Sequence, residues 1–380
     1  MLRRTPLFAA HQRLGGKLIE FGGWEMPVQY TSITDEHLAV RSAAGLFDIS
    51  HMGEVRVTGA GAEGFINQIL TNDVRKLAVG GGQYTLLCNL QGGVVDDLYA
   101  YRLADEDYLL IINASRIEPD VAWMRQCLAA FPGRDGVSLV DASDATGAVA
   151  VQGPRVAGFI DDCFTGPFEG GTPVAKAGGL KKNQVARTLF NGAEVWVSRT
   201  GYTGEDGFEV VAPAGAIEAV WEGLIELGRP HGLKPAGLGA RDTLRTEVCY
   251  PLYGHELDER TTPIDAGLGF FVGWEKGDFN GRSVLAAQKA AGAARRLVAF
   301  KMTGRTAPPR PQYPIFAAGE GGAALGMVAS GTQSPSLGIG IGMAYVPRES
   351  AAAGTPIEIE IRGRRAPAVV AAKPLYRKPD

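Results

Sequence analysis

The sequence predicts an α+β protein whose C-terminal part is an all-β domain. Three observations lead to this fold class. Residues 83–113 contain three β-rich runs separated by turn residues, as in an antiparallel meander. Helical patterns are interspersed among such hairpins without steady strand–helix–strand alternation, which argues against a parallel sheet. From Arg296 onward, short β runs are separated by Gly and Pro, a pattern typical of a barrel or sandwich.

The meander contains two adjacent acids inside a predicted strand. The predicted strands are 84–89, 94–103 and 108–113. Gly92 and Gly93 supply the backbone freedom that the first turn needs. Asp96 and Asp97 lie in the second strand, although Asp is depleted in strands. Because side chains alternate along a strand, the two acids should point to opposite faces, and the one facing inward needs a partner or a cationic ligand. The alternative is an acid near a turn that local amides satisfy.

Helices are predicted where apolar residues recur at helical spacing between cap signals. One helix, with Ser32 or Thr34 as its cap, should end at Gly45, and a capping box of Ser115 and Glu118 should begin another. Arg241 and Arg245 lie one turn apart on a predicted helix, where they form either a ligand-binding pair or a solvated stripe. The predicted helices are 34–44, 65–70, 116–130, one opened by Gly153 and Pro154, 214–227, 239–249 and one from 282.

Residues 59–64 match the dinucleotide-binding pattern GxGxxG, but their surroundings do not fit that function. The helix that follows has barely two turns, and no second strand ends in an acid about 20 residues further on. We therefore interpret these glycines as a turn before a short helix and expect no nicotinamide or flavin.

The remaining predicted strands are 54–58, 137–141, 148–152, 195–198, 208–212 and 268–274, followed by 297–302, 324–330, 339–345, 356–361 and 366–371.

Length and composition limit the possible functions. The chain has 380 residues, enough for two or three domains, and a net charge of −3 that gives no field favouring nucleic acid or anionic membranes. No apolar run is long enough to span a bilayer. The apolar stretch near the N-terminus ends at His11, too short for a signal peptide, and the four cysteines form no CxxC pair. We therefore expect a cytoplasmic protein without a metal site.

Several long motifs are spread along the chain. They are FGGWEMPVQY at 21–30, GLFDISHMG at 45–53, TNDV at 71–74, GGVVDDL at 92–98, RTGYTGEDG at 199–207 and GARDTLR at 239–245. With these motifs in this order, the chain resembles the aminomethyltransferase (T protein) family of the glycine cleavage system nearly from end to end.

The resemblance implies a three-domain cloverleaf around a central folate channel. The implied domains are discontinuous: 1–50 plus 142–237, then 51–141 plus 238–283, which carries the Asp96 hairpin, and finally the barrel at 284–380. The implied reaction transfers the methylene carbon of an aminomethyl group, held on the lipoyl arm of H protein, to tetrahydrofolate. Its products are methylenetetrahydrofolate, ammonia and dihydrolipoyl H protein. Folate-dependent demethylases and non-catalytic folate-binding proteins of the same fold are the alternatives.

The resemblance also implies roles for individual residues. Asp96 matches the catalytic acid, since a fixed carboxylate can stabilise a cationic carbon and orient the folate amine. Glu209 matches the glutamate that can accept both donors of the pterin edge, and Arg241 matches an arginine that contacts the ligand. Phe270 stands where some members carry Trp, so any hydrogen bond from an indole is lost there. The matching positions that line the channel are Met52, Tyr84 and Asn113.

Overall fold

A computed structural model of the chain describes residues 2–319 and 321–378. Within them the helices are α1 (Phe8–Arg13), α2 (Ile33–Ser42), α3 (Ala62–Ile69), α4 (Ile117–Ala130), α5 (Ile160–Cys163), α6 (Ile217–Gly228), α7 (Leu238–Glu247) and α8 (Arg282–Ala291). The strands are β1 (Lys17–Phe21), β2 (Trp24–Gln29), β3 (Ala44–Asp48), β4 (Gly53–Thr58), β5 (Gly82–Cys88), β6 (Val94–Ala104), β7 (Asp107–Ile112), β8 (Ser138–Asp141), β9 (Thr146–Gln152), β10 (Val185–Phe190), β11 (Ala193–Ser198), β12 (Gly207–Pro213), β13 (Leu233–Pro235), β14 (Arg295–Met302), β15 (Pro314–Ala317), β16 (Ala324–Gln333), β17 (Gly340–Pro347), β18 (Pro356–Ile361) and β19 (Arg364–Ala371).

The chain divides into two compact units. The first comprises residues up to 87, 96–241 and 273–279, and the second comprises 88–95, 242–272 and the chain from 280 onward. The first unit contains a six-stranded sheet in the order β10-β11-β12-β9-β3-β13, and the hairpin β1-β2. A five-stranded sheet in the order β5-β6-β7-β4-β8 also lies mostly in this unit. The second unit contains a closed barrel, β14-β17-β16-β15-β18-β19, so the predicted α+β class with a C-terminal barrel is confirmed.

Helix α6 packs on the six-stranded sheet of the first unit, and its sequence explains why. Ile217, Val220, Trp221 and Leu224 recur at helical spacing and are all at most 1% exposed. They join a core that includes Phe208 of β12 and the strands beside it. An amphipathic helix on one face of a sheet is the expected way to bury both apolar surfaces.

The barrel of the second unit is organised by alternation along its strands. On β14, Val298 and Phe300 belong to the core inside the barrel, together with residues such as Ile315 and Ile359. Leu297 and Ala299, which alternate with Val298 and Phe300, pack in a separate cluster. Successive side chains of a strand point to opposite faces, so β14 is buried on both sides.

The meander is confirmed, and the two glycines of its first turn have different roles. Gly92 has a φ of +80°, a backbone conformation that favours glycine. A Cβ atom on Gly93 would lie 1.8 Å from the carbonyl oxygen of Glu259. Val94 N–H donates to the carbonyl oxygens of Asp258 (3.1 Å) and Thr261 (2.9 Å), so this turn is held by the segment that follows α7.

Several predicted boundaries are wrong, because side-chain patterns do not report tertiary contacts. Gly45 does not end α2, since that helix ends at Ser42 and Gly45 lies in β3, where a Cβ would come within 2.4 Å of Val40. Ser115 forms no capping box, because a 3-10 turn precedes α4 and no side chain caps the helix. The predicted strand 268–274 contains a 3-10 turn instead. Strands β1, β2, β3, β10, β13 and β15 were not predicted.

The glycine-rich segment 59–64 forms the predicted turn before α3. Gly59 has a φ of +106°, and a Cβ there would lie 2.3 Å from the carbonyl oxygen of Gly136. The preceding strand β4 pairs antiparallel with both β7 and β8. Its sheet neighbours are therefore antiparallel strands, unlike the parallel strands of a dinucleotide-binding unit.

The discontinuous three-domain division stays a prediction. Two observations support it: the six-stranded sheet combines residues 44–48 with strands from 146–235, and the five-stranded sheet is built from strands within 53–141.

Candidate active site

Asp96 and Asp97 on β6 are held by one asparagine of the first unit. Asn113 follows β7, the neighbour of β6, and its backbone N–H donates to Asp96 Oδ2 (2.9 Å). Its side-chain amide Nδ2 donates to Asp96 Oδ1 (2.8 Å) and also to Asp97 Oδ1 (3.0 Å). The two acids therefore share a donor and do not act independently, contrary to what strand alternation alone predicts.

Asp96 and Asp97 differ in their burial and in their other contacts. Asp96 is fully buried, whereas Asp97 is partly exposed. The hydroxyl of Tyr84 on β5 donates to Asp97 Oδ2 (2.8 Å). Burial, together with the neighbouring charge of Asp96, raises the pKa of Asp97 to about 7. Asp97 therefore holds its proton to a higher pH than an ordinary aspartic acid does.

Asp96 has a second neighbour that the sequence-based prediction missed. The carboxyl group of Asp120 on α4 lies beside that of Asp96, and the two can form a hydrogen bond when one of them carries a proton. Asp120 is fully buried and lies on the same helix face as Ile117, Val121 and Met124. An acid at helical spacing among apolar residues is a signal that the sequence does contain.

Glu209 lies on β12 within a network of hydroxyl groups. Thr200 Oγ1 donates to Glu209 Oε2 (2.5 Å). The hydroxyls of Tyr101 and Ser198 each lie 2.9 Å from Thr200 Oγ1. These contacts fix one carboxylate oxygen of Glu209.

Arg241 on α7 is a partly buried cation without an acid at ion-pairing distance within the described residues. Its guanidinium lies 4.7 Å from the ring centroid of Tyr202 and donates to Met52 Sδ (3.8 Å). Burial lowers the pKa of Arg241, while the charge of Glu209 opposes that shift. An arginine remains protonated at any physiological pH. This guanidinium can therefore receive an anionic ligand.

Arg245, one turn further along α7, has a structural role, so the solvated-stripe interpretation is wrong for it. It is 1% exposed, and Nη1 pairs with Glu256 (2.9 Å). Its Nη2 donates to Ser330 Oγ (2.7 Å). These contacts lie within the second unit.

The structure brings six of the predicted site residues into two connected groups and leaves one in the other unit. Tyr84 contacts Asp97, and the nearby Tyr202 helps to raise the pKa of Tyr84. The ring of Tyr202 in turn packs against the guanidinium of Arg241. Phe270 belongs to the second unit, where its ring is 75% exposed and 4.1 Å from the ring of Phe271. Tyr202 and Thr200 were missed as individual residues, although both lie in the motif at 199–207.

The first unit therefore contains a buried carboxyl cluster and an unneutralised guanidinium, a combination suited to a polar ligand with both amine and acid groups. In the part of the chain that the structure describes, no group of three or more His, Cys, Asp or Glu side chains is placed to hold a metal ion. No helix in that part is long and apolar enough to cross a membrane.

Comparison with known proteins identifies the class of protein more closely. Residues 7–276 match the GCVT N-terminal domain, and residues 295–377 match the glycine cleavage T-protein C-terminal barrel domain. Aminomethyltransferases of Bacillus cereus and Bacillus mycoides are each 46% identical to the chain, over 379 and 378 residues, with 99% of each chain covered.

A solved structure agrees with these sequence matches. The glycine cleavage system aminomethyltransferase T from Bartonella henselae superimposes with a TM-score of 0.89 at 32% identity, covering 100% of this chain and 99% of that one. The chain belongs to the glycine cleavage T-protein family of aminomethyltransferases, as its motifs predicted. It is thus a transferase of a family that uses tetrahydrofolate as a substrate.

Proposed function

We propose that the chain catalyses the aminomethyl-transfer step of glycine cleavage. The methylene carbon of the aminomethyl group on the lipoyl arm of H protein passes to tetrahydrofolate. Methylenetetrahydrofolate, ammonia and dihydrolipoyl H protein are the products. The full-length similarity to aminomethyltransferases and the matched T-protein domains support this proposal.

The observation that carries the proposal is the pair of hydrogen bonds from Asn113 to Asp96, which oppose the rise in the pKa of Asp96 that burial causes. Both carboxylate oxygens of Asp96 accept N–H groups from Asn113. Hydrogen bonds to the charged form of an acid favour that form. A fixed negative charge stabilises an iminium carbon as its positive charge develops, and it can orient the folate amine for attack. Asp96 is the proposed catalytic acid.

Glu209 and Arg241 are proposed to bind the two ends of the folate. The carboxylate of Glu209 can accept the paired donors of the pterin edge, and Thr200 fixes its orientation. Arg241 has no acid at ion-pairing distance within the described residues, so its guanidinium is available to a glutamyl carboxylate of the ligand. Met52 contacts that guanidinium and would line the same region.

The other proposed residues support these groups. Tyr84 and Asn113 hold the carboxylates of β6 by hydrogen bonds. Phe270 is proposed to contact folate through its exposed ring, which lacks the indole donor found in some relatives. No metal and no redox cofactor takes part in the proposed reaction.

A single-turnover assay with purified, aminomethyl-loaded H protein and tetrahydrofolate tests the function. The wild type should form methylenetetrahydrofolate and ammonia. A folate-dependent demethylase would act on an N-methyl amine and not on the loaded H protein. A non-catalytic binder would bind folate and turn over neither substrate, and either result would reject the proposal.

The same assay tests the choice of acid. Asp96→Asn keeps the size and removes the charge, so transfer should fall by roughly 10²–10³ while folate still binds. Asp97→Asn is the matched control. The loss of transfer should be smaller in Asp97→Asn, because Asp97 is partly exposed and its raised pKa makes its charge easier to lose than that of an ordinary aspartate. If Asp97→Asn is the more damaged variant, Asp97 is the catalytic acid and the assignment is wrong.

A further inference from the structure

Asp120 is a fully buried carboxyl group to which the proposed reaction gives no role. It lies in the first turn of α4, on the face that packs into the protein. Burial of a charged carboxylate is costly unless donors compensate for the lost water. The contacts of Asp120 therefore indicate its protonation state.

The donors around the Asp96–Asp120 pair are distributed unequally. Asp96 accepts the backbone N–H and the side-chain amide of Asn113. Among the described residues, no N–H or O–H donor forms a hydrogen bond with either oxygen of Asp120. Arg116 Nε lies 3.6 Å from Asp120 Oδ1, which is within ion-pairing distance but too long for a hydrogen bond.

Two carboxylates in contact cannot both be ionised without strong repulsion, so one proton must lie between them. The N–H donors stabilise the charge on Asp96 at 2.8 and 2.9 Å, whereas Arg116 faces Asp120 at the longer distance of 3.6 Å. Burial and the charges of Asp96 and Asp97 raise the pKa of Asp120 to about 11, against the opposing effect of Arg116. Both arguments place the proton on Asp120.

We propose that Asp120 is a positioning residue: a neutral carboxylic acid whose O–H donates to Asp96 and holds that carboxylate ionised and fixed. The inference rests on the proposed function, in which Asp96 is the catalytic acid. With Asp120 neutral, Asp96 and Asp97 on β6, Tyr84 on β5 and Arg116 before α4 are the titratable groups around the pair. The O–H of Asp120 stabilises the charge of Asp96 without introducing a cation that would neutralise it.

Two variants of Asp120 separate this role from simple packing. Asp120→Asn retains a donor, because its amide N–H can replace the O–H. Asp120→Leu keeps a similar size and removes the donor. Transfer should fall by less than about tenfold in Asp120→Asn and by roughly 10² in Asp120→Leu, within the range for loss of one preorganised group. Equal losses in two folded variants would show a packing role and overturn the proposal.

The direction in which the pH profile of kcat/KM shifts distinguishes the proposed hydrogen bond from a packing role of Asp120. Loss of a hydrogen bond to ionised Asp96 raises the pKa of Asp96, so the acidic limb of Asp120→Leu should move to higher pH. If Asp120 were instead ionised and paired with Arg116, its removal would take away a neighbouring negative charge. The limb would then move to lower pH, which would refute a neutral Asp120.

Infrared difference spectroscopy of the free enzyme tests the proton directly. At pH 7–8 the wild type should show the C=O stretch of a protonated carboxyl group that is absent from Asp120→Asn. Absence of such a band overturns the proposal, even if Asp120→Leu fails to fold. This measurement needs neither H protein nor folate. A failure of the proposed function would appear in the wild-type transfer assay and leave the infrared result unchanged.

Discussion

Replacing Glu209 by Gln tests whether this carboxylate binds the pterin. The Gln side chain keeps the size of Glu and still offers an oxygen to Thr200, so the hydroxyl network can persist. A charge-assisted hydrogen bond is worth about 1.5–3 kcal/mol. Each 1.4 kcal/mol is a factor of ten in Kd, so tetrahydrofolate should bind roughly 10- to 100-fold more weakly to Glu209→Gln.

Loss of the Glu209 charge also acts on Arg241, but this effect does not change the predicted Kd. The charge of Glu209 raises the pKa of Arg241, and the substitution removes that contribution. Because arginine remains protonated, the charge of Arg241 at neutral pH does not change. A larger Kd would therefore be due to the loss of the Glu209 carboxylate itself.

Isothermal titration calorimetry with tetrahydrofolate under anaerobic conditions measures the effect. Glu194→Gln is the matched control: the same chemical change at an exposed acid of β11, whose partner Arg187 lies 2.8 Å away. The control should bind like the wild type. A folded Glu209→Gln variant with a Kd within twofold of the wild type would refute the assignment. Equal weakening in the control would also refute it, because the effect would then be one of net charge.

Two further predictions concern Arg241 and Glu54. Arg241→Met should weaken tetrahydrofolate binding by about tenfold, since a charged hydrogen bond worth about 1.5 kcal/mol is lost; unchanged calorimetry would show that Arg241 is structural. Burial raises the pKa of Glu54 to about 8, against 4.5 for an unperturbed glutamate. The folded state thus binds the extra proton between these values, so stability falls as pH rises through about 8. The Tm of the wild type should fall more between pH 6 and 9 than that of Glu54→Gln, and parallel curves would contradict this.

Much of the fold could be predicted because its signals are local. The apolar face of α6 and the alternation along β14 repeat within a few residues, and each pattern matches the period of its element. The meander was predicted from β-rich runs and paired glycines. Ser115 and Gly45 show where local signals mislead. Serine is common at helix N-caps, but Ser115 lies in a 3-10 turn. Glycine often ends helices, but Gly45 lies in a strand against Val40.

Residue types and motif order determined the family, the acidic strand and the identities of the proposed folate ligands. They could not determine the electrostatic state of those groups, because that state depends on neighbours distant in the chain. Asp120 is 24 positions from Asp96, and their carboxyl groups come together only in the folded chain. The absence of an acid beside Arg241, within the described residues, is likewise decided by packing. A side chain's charge follows from which donors and charges share its buried environment, and the tertiary structure alone selects them.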